Sequence, residues 1–373
     1  MKHSYHLDSL RGFLSLVVVM QHSAAAFIYS QDGTESIINT YLGLAAHFAV
    51  LMFFTLSGYV ITISITENTK RNNRFVAFEY ITSRALRIVP PLLGVIILSG
   101  FMMLALQYFG ADKVSGDFKY NIRSLFAPDI HGQLKSIATL TISGSLDGGV
   151  NNVNGALWSL VYEIQFYVIA GLLAESIFAK RALTKILCVI AMLAYIFAID
   201  LSTTLSISTI AFICFAFGSA SYQLKDFIAK TPFLLIGALI LTIFTIGHLT
   251  EWAGSIVKLR QNLDRSGEWM SYKIPLGLFF ALSLNYVGVY GRGLRWFNFI
   301  SSSSYSLYIT HFPIIVFSWF MLSNHASSAL NYKYLLSISA VVLCVLFAKL
   351  FGSMLEKPKQ QRELLMRVLR FYK

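Results

Sequence analysis

Apolar residues in this chain neither alternate nor follow a single stripe. They fill whole stretches of about twenty positions, separated by short polar breaks. The stretches fall near residues 10 to 29, 41 to 65, 89 to 109, 156 to 175, 183 to 200, 203 to 221, 232 to 249, 274 to 290, 299 to 321 and 334 to 355. Most approach the roughly 20 residues that a helix needs to cross a bilayer. None shows the alternation of an outer-membrane barrel strand, and in lipid the backbone must satisfy its own hydrogen bonds, which leaves helices. The pattern predicts an all-α integral membrane protein, with about ten transmembrane helices in a single polytopic bundle and one membrane domain over residues 1 to 373.

The polar breaks set the orientation. With a cytoplasmic N-terminus, most of the 30 Lys and Arg face inside, around residues 70 to 87, 180 to 185 and 292 to 295 and in the tail from Lys357 to Lys373. The rest fall mainly in two long outer loops, 110 to 155 and 250 to 273, where the positive-inside bias is weaker. Both termini are thus expected in the cytoplasm, with 359 to 373 a basic tail on the membrane surface and loop 110 to 155 long enough to fold back over or into the bilayer. The first stretch is expected to remain in the mature protein, because Arg11 interrupts its start and no small-residue cleavage site stands out after Ala26.

Composition agrees, since only 13% of residues are charged against about 25% in soluble domains. The net charge of +12 is then a topology signal and a match to anionic headgroups, and no motif points to nucleic acid. Cys188, Cys214 and Cys344 all lie in apolar stretches without partners at metal-ligand spacing, so neither a disulfide framework nor a metal site is expected.

Ionisable residues inside the spans are expensive and become functional candidates. Arg11 and His22 lie in the first stretch, about three helical turns and so roughly 16 Å apart, on one face. Arg11 falls near the inner boundary and His22 deep in the hydrocarbon. Counted along alternating spans, His22, His47, Glu163 and His311 all come out roughly 18 to 20 Å from the inner boundary. Four such groups at one depth are expected to line a shared cavity.

Six strings in order resemble those of the acyltransferase family 3 membrane enzymes. Arg11 leading to His22 resembles the Arg-X10-His signature, and Phe53 to Tyr59 is similar to Phe-Phe-x-Leu-Ser-Gly-Phe. Arg84 to Pro90 resembles Arg-x-x-Arg-Ile-x-Pro, and Trp158 to Tyr167 resembles Trp-Ser-Leu-x-x-Glu-x-x-Phe-Tyr. Ser304 to Pro313 and Glu356-Lys357-Pro358 complete a resemblance running from residue 7 to 358. Two positions depart from it: Leu51 stands where an acidic residue is frequent, and Val89 where an aromatic one is. A C-terminal hydrolase-like domain carried by some relatives is not expected here.

The resemblance implies transfer of an acyl group, acetyl foremost, from cytoplasmic acetyl-CoA to a hydroxyl of a cell-surface glycan or lipid-linked sugar precursor, in a bacterial inner membrane. It implies an acyl-CoA, a sugar acceptor and the bilayer as partners, and no metal. Arg11, Arg84 and Arg87 are the expected phosphate-binding residues, because guanidinium forks suit bidentate anion capture; for any one of them, snorkelling to headgroups is the plainer account. His22 is the expected general base, with Glu163 orienting it or lining the acceptor site and His311 as a further catalytic candidate. His47 reads as structural, Ser57-Gly58-Tyr59 mainly as a close-packing element with a hydroxyl able to stabilise a developing oxyanion, and Ser159 as a weak candidate nucleophile. The alternative reading is a proton-coupled transporter whose buried His and Glu relay protons.

Overall fold

The structure is a computed structural model that describes residues 5–29, 37–109, 154–198, 205–253, 270–287, 291–323, 330–357, 360 and 363. Among them ten helices fall on the ten apolar stretches: α1 Tyr5–Ala24, α2 Ile37–Asn72, α3 Ala77–Tyr108, α4 Trp158–Phe178, α5 Ala182–Ala198, α6 Leu205–Gln223, α7 Phe233–Ala253, α8 Met270–Ser283, α9 Ser304–Ser323 and α10 Leu330–Leu355. Short helical turns precede α4, α7 and α9, and no strand occurs among the described residues. Six segments are long and apolar enough to cross a membrane: His6–Ile28, Tyr41–Asn72, Ala77–Met102, Ser159–Phe178, Ser304–Leu322 and Tyr332–Leu355. Ala182–Ala194, Phe233–Gly247 and Lys273–Ser283 are apolar but shorter. The chain is a multi-pass membrane protein, all-helical among the described residues. The expected outer loop 110 to 155 lies almost wholly outside the described residues, as do most of loop 250 to 273 and, apart from residues 360 and 363, the basic tail 359 to 373.

The apolar surplus is divided between lipid and core. On α3, Ile81, Val89, Leu93, Ile97, Phe101 and Leu104 are exposed at helical spacing, a stripe that suits lipid contact. Inward-facing residues of α2, α3, α4 and α6, among them Phe54, Ile88, Tyr162 and Phe215, form one core. Val19 of α1, Leu307, Phe312 and Ile315 of α9 and Cys344 of α10 form another. Hydroxyls tie α1 between its neighbours: Ser15 donates to the Ser304 carbonyl at 3.1 Å, and Ser23 to the Ser337 carbonyl at 2.8 Å.

Where α2 crosses α6 the backbones themselves touch. A Cβ on Gly58 would stand 1.9 Å from the Phe215 carbonyl oxygen, and one on Gly218 1.8 Å from that of Thr55. Lipid-embedded helices approach this closely only through residues without side chains. The crossing holds Ser57 of α2 against α4.

Candidate active site

Glu163 lies on α4 with Ser159 one turn before it and Tyr167 one turn after, so the three share a face. Tyr167 donates its hydroxyl to the Glu163 carboxylate, and the Ser57 hydroxyl stands 3.3 Å from that carboxylate and 3.2 Å from the Tyr167 oxygen. This face opens on a small cavity of roughly 60 Å³, lined among others by Arg11, Arg87, Glu163, Ser159, Tyr305 and Tyr308. The Arg84 guanidinium lies 5.9 Å from the ring centres of both Tyr80 and Tyr167, within cation–π range. Glu163 is within electrostatic reach of all three arginines. Arg11 also pairs with Asp8 at 3.3 Å, and Arg87 also feels Glu356. The cations therefore meet in one place with carboxylates balancing them, and the Arg84 Nε is buried without a partner.

A second polar group lies farther along α1 and α9. The His22 and His311 rings are 5.3 Å apart, and His22 meets Phe312 edge-on at 5.4 Å. His311 Nδ1 lies 2.7 Å from the Tyr308 carbonyl oxygen and 3.2 Å from that of Leu307. Carbonyls only accept, so Nδ1 carries the proton and Nε2 the lone pair. That Nε2 is buried with no partner. Beyond His22 the chain widens into a π-helical turn, Ala25–Tyr29, a distortion that often accompanies functional sites.

Between the two groups the Ser159 and Tyr308 hydroxyls are hydrogen-bonded to each other. The order along the bundle is therefore arginines and Glu163, then Ser159 with Tyr308, then the two imidazoles. His22 and His311 meet, as equal depth predicts. Glu163 lies on the arginine side of Ser159 and Tyr308, apart from the imidazoles whose depth it was expected to share, and its hydrogen bonds go to Ser57 and Tyr167. His47 lies nearly three turns before Ser57 on α2 and is half-buried.

Three further polar side chains join these groups without having been assigned these contacts from sequence. Ser57 joins the Glu163 cluster, whereas Gly58 beside it does the close packing. Glu356, just past α10, accepts the Ser306 backbone N–H at 2.6 Å; it satisfies one of the free amides in the first turn of α9. Burial there raises its carboxyl above the ordinary carboxylate range. Asn154, ahead of α4, donates its amide to the Ile309 carbonyl. The sequence signal for Glu356 is its place in a family string, and for Asn154 there is none beyond its nearness to Trp158.

Buried imidazoles and an arginine-lined cavity lie inside a bundle of spanning helices, the arrangement of a polytopic membrane protein with polar groups in its interior. A family model described as an acyltransferase domain matches residues 4–349, and the chain belongs to that family, acyltransferase family 3. It is also similar to a protein of Shigella phage Sf6 described as an O-acetyl transferase, with 29% identity over 194 residues, 51% of each chain. The chain thus spans about half the length of that curated relative. No solved structure matches it. Among the described residues, no group of three or more His, Cys, Asp and Glu could hold a metal ion.

Proposed function

We propose that the protein transfers an acetyl group from cytoplasmic acetyl-CoA to a hydroxyl of a cell-surface glycan or its lipid-linked precursor. The proposal includes ten spans in a bacterial inner membrane with both termini inside. The observation that carries it is the contact of His22 with His311, whose Nε2 is an unpartnered lone pair, in line with the cavity lined by Arg11 and Arg87. The arginines hold the CoA phosphates, and the pantetheine arm runs past Ser159 and Tyr308 toward His22. The acceptor hydroxyl gives its proton to His22 while its oxygen bonds to the thioester carbon. The carbon–sulfur bond then breaks, and the imidazolium returns the proton to the CoA thiolate, leaving an ester and free CoA. Glu163 sets the charge around the arginines. Family membership favours this reading over a proton-coupled transporter.

The test is CoA release from acetyl-CoA by the protein in lipid nanodiscs. His22→Gln keeps a hydrogen-bonding group but cannot act as a base, and its release rate should fall about 10²- to 10⁴-fold with insertion unchanged. Near-normal transfer by that variant rules out His22 as the base. Proton-coupled flux without thioester consumption by the wild type would favour the transporter.

A further inference from the structure

Helix α9 carries Pro313 in its interior, two residues after His311. Proline has no N–H, so the carbonyl four residues earlier, that of Ile309, loses its helical donor. Asn154 supplies one: its Nδ2 lies 2.6 Å from the Ile309 oxygen. This bond also fixes which way the carboxamide points, because only its NH2 half can donate to a carbonyl. The other half, Oδ1, is then an acceptor, and it is buried without a partner on a residue only 3% exposed.

His311 Nε2, within a turn of Ile309 on the same helix, is likewise a buried acceptor without a donor. Buried acceptors of this kind normally have partners. Both atoms accept, so a group that binds against them is one that brings donors. Asn154 stands more than two turns ahead of Glu163, at the end of α4 away from the arginines. An acyl-CoA held by those arginines therefore reaches the imidazoles from the opposite side. A polyhydroxylated acceptor, with one hydroxyl to react and others to donate, matches two such acceptors.

We infer that Asn154 binds the acceptor: its Oδ1 takes a hydrogen bond from a sugar hydroxyl neighbouring the one that reacts, while its NH2 half closes the gap left by Pro313. The inference rests on the acyl-transfer reading and assigns the acceptor side of the same site.

Pro313→Ala separates the two halves, because it gives residue 313 an N–H and lets the helix satisfy Ile309 itself. Wild type, Asn154→Ala, Pro313→Ala and the double variant are compared in nanodiscs with acetyl-CoA and a lipid-linked oligosaccharide extract from the producing cells. The readouts are thermal midpoint and KM for each substrate. Asn154→Ala should lower the midpoint and raise the KM for the extract roughly five- to tenfold, the worth of one hydrogen bond, with the KM for acetyl-CoA unchanged. The double variant should recover the midpoint and keep the raised KM. Recovery of both would reduce Asn154 to a structural part and overturn the inference. So would an unchanged KM in Asn154→Ala, a parallel rise in the KM for acetyl-CoA, or a double variant that fails to fold when Pro313→Ala folds. If Asn154→Ala alone does not fold, the double variant against Pro313→Ala decides. Those results leave acyl transfer standing, whereas no CoA release by the wild type would overturn both readings.

Discussion

Gly58→Ala should disrupt this protein far more than the loss of a glycine elsewhere on its helices. The added methyl would stand 1.9 Å from the Phe215 carbonyl oxygen, 2.8 Å from its carbon and 3.1 Å from its Cα. All three are backbone atoms, so no side chain can swing aside. Reaching ordinary contact at 3.4 Å asks α2 and α6 to part by about 1.5 Å, and overpacking of this kind costs about 1 to 3 kcal/mol. At about 1.4 kcal/mol per tenfold, the folding equilibrium constant falls by roughly one to two orders of magnitude, which shows as a lower thermal midpoint. A shift of even 1 Å also carries Ser57 out of hydrogen-bonding range of Glu163 and Tyr167, from 3.3 and 3.2 Å, so activity per folded molecule should drop as well. The internal control is Gly237→Ala on α7, where an added Cβ meets nothing within 4 Å. Thermal unfolding in detergent, followed by size-exclusion of the surviving monodisperse protein, compares the two. Equal midpoints for Gly58→Ala and Gly237→Ala would refute the reasoning.

Arg84→Ala and Arg87→Ala should chiefly raise the KM for acetyl-CoA, because phosphate contacts bind substrate without joining in bond making; folded variants with unchanged acetyl-CoA dependence would remove the docking role. A cysteine replacing exposed Lys70 at the end of α2 should resist an impermeant thiol reagent added to intact cells and react once the membrane is opened; labelling of intact cells would reverse the proposed topology. The folded protein holds the Glu356 proton more tightly than an unfolded chain does, so this residue's contribution is full below the ordinary carboxylate range and is lost as pH rises through its raised value. Glu356→Gln should flatten that decline in thermal midpoint, and an unchanged slope would show that Glu356 does not set it.

Hydrophobicity made the helices legible because lipid imposes it: each apolar stretch became a helix, and His22 and His311, at matching depth in spans of the same direction, do meet. The arginines from α1 and α3 were grouped by the family resemblance and by their place near the inner boundary. Glu163, expected at the depth of the imidazoles, lies with the arginines instead, for a physical reason. Apolar composition marks where lipid begins, but helical hydrogen bonding continues into water, so that α2 runs for 36 residues and α3 for 32. Depth counted from an apolar boundary therefore slips against true register. Ser57 and Gly58 look alike as small residues in a span, and only the approach of Phe215 to one and Glu163 to the other tells them apart. Asn154 is legible only once Pro313 is seen to leave the Ile309 carbonyl bare.

The Glu356 bond to the first turn of α9 has a consequence for the order of synthesis. Arg11, Arg87 and Glu163 leave the ribosome long before Glu356, and so does the helix bearing His311. Until the residues after α10 arrive, the first turn of α9 lacks the carboxylate that accepts the Ser306 amide, and Arg87 lacks one of the charges that offset it. A nascent chain therefore holds most of the chemical groups in an unlatched arrangement, and the latch closes as translation of this region ends. On the proposed function, chains that stop before Glu356 should thus insert without consuming thioester.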